Sequence, residues 1–154
     1  MNTNKSSVEW REEAARVFPE LSEELSECDS PMGFWCELNL TFERAYESPV
    51  NEDLIRRIYQ FADWCLQHHE EDVDAGEHLP TCVCVAFYEH IPSYPAARAD
   101  MPRWFLREDV LLMKQTFSYH TSEKDYEDLL ALFRSPDGKE TRKQRKARLK
   151  REAN

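Results

Sequence analysis

Cys65, His68 and His69 close one apolar stretch of this chain, and His78, Cys82, Cys84 and His90 follow a little further on. Thiolates and imidazoles are the donors zinc takes, about four at a time in a tetrahedron. On a helix, Cys65 would share a face with His68 or His69, and Cys82 or Cys84 could be folded against them. No C-x-x-C pair is present, however, and the spacing matches no standard zinc module. Core thiols and surface imidazoles are the simpler reading, so no metal and no cofactor are expected. A Cys–His pair would also serve nucleophilic catalysis, yet the chain carries no G-x-S-x-G, no H-E-x-x-H and no phosphate loop. No catalytic residue is assigned. Glu89 stands apart, lying between the apolar AFY and His90-Ile91. A carboxylate at the edge of a buried run can hold its proton and act as acid or base. The plainer alternative is that Glu89 emerges at a helix end and pairs with an arginine. A metal-dependent or Cys/His-based enzyme centred on 65–90 is therefore the alternative to a binding role.

The second constellation lies in PSYPAARADMPRWFL, residues 92–106. Tyr94, Arg103, Trp104 and Phe105 are of the types that dominate binding hot spots. Their Pro-rich segment is expected to be irregular, and long connections in small domains are often functional. These four are the candidate binding residues. The competing structural role for Trp104 and Phe105 is to staple the loop to the helix that follows.

Charge divides the chain. Residues 139–154 hold eight Lys or Arg against two Glu, a balance of +6. Residues 1–138 hold twelve against twenty-eight Asp or Glu, a balance of −16, and the two give the net −10. An acidic body attracts basic partners and repels nucleic acid. The basic tail could bind phosphate backbones, but no aromatic residue is interleaved with it for base stacking. Nucleic-acid binding through the tail is a further alternative.

These residues need elements to position them. With 154 residues, 12% aromatic and only three Gly, the chain can bury a core but has few tight turns. Ser6 and Glu9 have capping-box spacing, opening a helix from about Ser7 to Phe18. Ser30-Pro31 opens another, to about Glu47. Asn51 caps the clearest helix, 52–69, in which Leu54, Ile58, Phe61 and Cys65 form one stripe. Ile55, Tyr59, Ala62 and Leu66 form the next, leaving Arg56, Gln60, Asp63 and Gln67 opposite. Residues 82–88 are an unbroken apolar run, read as helix because a lone strand would have no sheet to join. Leu106, Val110, Met113 and Phe117 mark a further helix, and Ser122 with Asp125 caps the last. SPDG at 135–138 ends the domain; the tail could extend as a solvated helix, since Lys, Arg, Ala and Leu favour one, but with only Leu149 to bury it is expected to be frayed or disordered alone. The expected architecture is all-α: an acidic domain, 1–138, of five or six helices packed as antiparallel pairs, then a flexible basic tail, 139–154. A strand at 82–88 would make it α+β.

FWCELNLTFERAY, LIRRIYQFADWC and VCVAFYEHIP, in that order, resemble small uncharacterised bacterial domains, some encoded beside polymorphic toxins and proposed as their immunity partners. The likeness spans about residues 30–133 and leaves out the tail. It implies a compact helical binding protein and carries over no catalytic residue. The N-terminus has no apolar signal region and no stretch is long enough to cross a bilayer, so a cytoplasmic protein is expected. The function expected is a protein-binding module, immunity or antitoxin-like, with an acidic surface for a basic protein partner, in preference to an enzyme.

Overall fold

The computed structural model describes residues 3–68, 73–133 and 142–153, with side chains described from Val8 onward and, in the tail, from Lys146. All regular structure among them is helical: α1 (Thr3–Val17), α2 (Ser22–Glu27), α3 (Pro31–Ala45), α4 (Glu52–Gln67) and α5 (Leu79–Val83) come first. Then follow α6 (Pro95–Trp104), α7 (Arg107–Leu112), α8 (Lys114–Phe117), α9 (Glu123–Ala131) and α10 (Arg142–Glu152). The chain is all-α, with more helices than the five or six expected. The excess comes from breaks. The stretch carrying Leu106 to Phe117 divides at Met113 into α7 and α8, and α2 splits from α1 at Pro19.

Local chemistry starts α3, α4 and α9 where the sequence indicates. The Ser30 hydroxyl accepts from the Gly33 amide at 3.1 Å, ahead of Pro31 in the first turn of α3. Asn51 accepts from the Leu54 amide at 3.1 Å, and Glu52 and Asp53 lie at the positive end of α4. Ser122 and Asp125 form a reciprocal capping box on α9. The Ser6 side chain lies outside the described residues, and α1 begins at Thr3, earlier than a box at Ser6 implies. Asn51→Ala removes one cap from the best-formed helix. The expected loss is about 1 kcal/mol in urea unfolding, with the m-value unchanged.

Residues 82–88 are helical, but not uniformly. After α5, Cys84–Tyr88 form a π-helical turn, seen in the bond from the Glu89 amide to the Cys84 carbonyl at 3.0 Å. The wider turn lets Ala86, Phe87 and Tyr88 all be buried in succession, which an ordinary helical face does not do. The core is built on aromatic rings around Trp35. Trp35 is stacked between Phe61 at 5.3 Å and Phe87 at 5.2 Å. Phe18 meets Phe61 edge-on at 5.5 Å, and Phe42 meets Phe87 edge-on at 4.8 Å. These rings join α3, α4 and the π turn, with Phe18 just past the end of α1. α4 contacts α1, α3 and α5, and its two apolar stripes are both buried except at half-buried Leu66.

The Pro-rich stretch expected to be irregular is ordered helix. Ile91–Ser93 is a 3₁₀ turn and Pro95–Trp104 is α6. Pro95 stands at the first helical turn, where its missing N–H costs nothing, and Pro102 falls in the last turn. The SPDG stop at 135–138, with His69 and part of the acidic connector, lies outside the described residues. No helix among the described residues is long and apolar enough to cross a membrane.

Candidate functional site: a cleft between α4 and the basic helix

Trp104 and Phe105 end α6 beside the outward flank of α4. Trp104 stacks on Tyr59 at 4.5 Å with the rings 16° apart. Phe105 meets Tyr59, Tyr88 and Phe117 edge-on at 5.7, 5.2 and 5.1 Å. The Trp104 indole N–H donates to Asp100 at 3.0 Å, and the Tyr46 hydroxyl donates to the same carboxylate oxygen at 2.7 Å. Burial, with the Asp100 carboxylate beside it, pushes the Tyr46 phenol well above its ordinary range. The Arg103 guanidinium lies 4.8 Å from the Trp104 ring centroid and is tied to Glu52 at 2.6 Å. Trp104 is thus fixed by a ring, a hydrogen bond and a cation, all before any partner arrives.

Three of the four candidate binding residues, Arg103, Trp104 and Phe105, come together here. Tyr94 does not. It precedes α6 and its hydroxyl accepts from Asn39 at 2.9 Å. Asn39 is the one buried polar side chain among the described residues, so Tyr94 serves the α3–α6 junction.

Beside Trp104 and Phe105 opens a cavity of about 470 Å³. One wall is α4, through Arg56, Tyr59, Gln60, Asp63, Leu66 and Gln67. Tyr88, Asp109 and Met113 complete the body's side, and Asp109 also caps α7 by accepting from the Leu106 amide at 2.9 Å. α10 adds Lys146, Leu149 and Lys150, with Ala153 just past its end. Those four positions are spaced i, i+3, i+4 and i+7, one helix face. The cleft is therefore lined by aromatic rings, two carboxylates, Asp63 and Asp109, and two lysines and a leucine.

Sequence reasoning missed most of this site. The α4 residues Arg56, Gln60, Asp63 and Gln67 read as a solvated face. Leu149, the lone sizeable apolar side chain of the tail, reads in the sequence as too little to bury, yet it lines the cleft.

The described members of the Cys/His constellation do not come together. Among the described residues, no group of three or more His, Cys, Asp or Glu is placed to hold a metal ion. His68 stacks on Trp64 at 4.1 Å, and His78 pairs with the Thr81 hydroxyl at 2.7 Å. His90 stacks on His120 at 4.8 Å. Glu89 does emerge at a helix end, but its partner is His120 at 3.5 Å rather than an arginine. Cys65 and Cys82 are fully buried, and burial pushes both thiols up to about 12. Such thiols are poor nucleophiles and poor ligands at neutral pH. Iodoacetamide at pH 8 should label exposed Cys36 and spare Cys65 and Cys82 until the chain unfolds, as read by mass spectrometry of the digest. The linkage has a definite sign. These thiols ionise near 9 when unfolded and about 12 when folded, so their contribution is complete below pH 9 and is lost between 9 and 12. The slope is about 1.4 kcal/mol per pH unit for each thiol, measurable by urea unfolding in alkaline buffers.

No family model, curated protein or solved structure matches the chain. The site must be read from its own geometry.

Proposed function

We propose that the chain is a protein-binding module whose acidic body takes a basic protein partner, with an immunity or antitoxin-like role as the concrete form. The observation that carries this reading is the cleft itself. Aromatic rings, the carboxylates Asp63 and Asp109 and the lysines of α10 line one cleft. Apolar anchoring in a polar frame is how partner helices are held in grooves. The surrounding charge of −16 over residues 1–138 adds long-range attraction for a cationic partner. Binding through the tail to nucleic acid is less favoured, because Lys146 and Lys150 line the cleft on the acidic body.

The test is a titration of the full chain with a labelled basic amphipathic peptide, read by fluorescence anisotropy. Affinity should fall several-fold as salt rises from ~0.1 M, where the Debye length is ~10 Å, to ~1 M, where it is ~3 Å. An acidic peptide of the same pattern should not bind. Equal binding of both peptides, or none of either, would remove the proposal.

A further inference from the structure

We infer that α10 is a built-in stand-in for the partner: it occupies the binding cleft in cis, and a partner's basic amphipathic helix binds by displacing it. The inference rests on the binding reading above and specifies both the partner class and its regulation.

Three observations carry it. First, charge and pattern are complementary. Lys146, Leu149, Lys150 and Ala153, spaced along one helix face, line the same cleft as Asp63, Asp109 and the aromatic rings. Arg148, between them, pairs along the helix with Glu152 at 3.0 Å. Second, the fit is hollow. A half-open cleft of about 470 Å³ is lined by α10 together with α4 and Trp104, so the helix leaves room beside it. Leu149 is only half-buried and does not fill the space. A helix carrying a larger apolar anchor at the same position would fill it better. Third, the body does not need α10. The buried core runs from Trp10 to Leu129 and includes no described residue of the tail. Removing the helix from the cleft breaks no part of that core.

The attachment of α10 sets the size of the effect. A short connection gives an effective concentration on the order of 1 mM. A tail helix with an intrinsic affinity of ~100 µM would then hold about nine-tenths of the clefts. Releasing it would raise the affinity of a competing helix about tenfold.

The experiment uses the full chain and a labelled peptide of sequence RKQRKARFKREA, which is residues 142–153 with Phe in place of Leu149. Leu149→Asn releases α10 without changing net charge. Lys146→Gln with Lys150→Gln is the second variant, guarding against an effect peculiar to the first substitution. Thermal unfolding should be nearly unchanged in both. The expected result is about tenfold tighter peptide binding to each variant than to the native chain. Equal affinity for native and variant chains would overturn cis-occupancy while leaving the basic-partner reading intact. No binding to any of them would overturn both. Variants that dimerise less than the native chain, with peptide affinity unchanged, would assign the cleft to α10 of a second copy and contradict the inference.

Discussion

Asp63→Lys combined with Asp109→Asn will reduce the affinity for a basic helical peptide by at least about a hundredfold. Removing one partner of a close charge pair in an interface costs about 2–5 kcal/mol, and tenfold corresponds to about 1.4 kcal/mol. Asn is chosen at position 109 because it keeps an oxygen to accept from the Leu106 amide, so the start of α7 is preserved. The control carries the same change in net charge elsewhere, Glu23→Lys with Glu27→Gln on the exposed face of α2. Loss of long-range attraction alone should weaken the control only a few-fold, mostly in the association rate. A control as damaged as the cleft variant would mean that general acidity, not the cleft, does the binding.

Trp35→Ala will give the largest loss of stability of any single truncation. The indole is fully buried and stacked on both sides, by Phe61 and Phe87. It therefore joins α3 to α4 and to the π turn at once. Truncating such a side chain costs about 3–5 kcal/mol, against a total of about 5–15 kcal/mol for a domain. Trp35→Phe keeps one ring in the stack and should cost less than half as much. Urea unfolding followed by far-ultraviolet circular dichroism reads both. A loss below about 1 kcal/mol for the alanine variant would mean that the aromatic column is not the centre of the core.

The long helices were legible because their signals are local. Ser30, Asn51 and Ser122 cap through bonds to amides three residues on, and the two stripes of α4 are a periodicity within sixteen residues. The run 82–88 was legible as helix but not as a π turn. An unbroken apolar segment has no periodicity to shift, and the wider register shows only in the fold, in the bond from the Glu89 amide to the Cys84 carbonyl. The Pro-rich segment misled because proline was counted as a breaker, whereas its effect depends on position. Pro95 starts α6, and Pro102 sits in its last turn.

The cleft was half legible. Arg103, Trp104 and Phe105 stand out by residue type, and they do gather at its edge. Asp63 and Gln67 do not, because nothing near them in the chain distinguishes a solvated helix face from one that faces another helix. That relation spans the distance from α4 to α10 and depends on the fold. Cys65, Cys82 and the described histidines stand out by type too, and the simpler reading of core thiols and surface imidazoles is the one their placement fits. Their types suggest ligands, but their positions are set by core packing and by separate surface contacts.

Hydrogen exchange of the full chain, with and without a saturating basic helical peptide, tests the central claim most directly. The account predicts new protection confined to residues 56–67 and 104–113, together with faster exchange in 142–153 as α10 leaves the cleft. Protection centred on other acidic segments, with 56–67 and 104–113 unchanged, would contradict it.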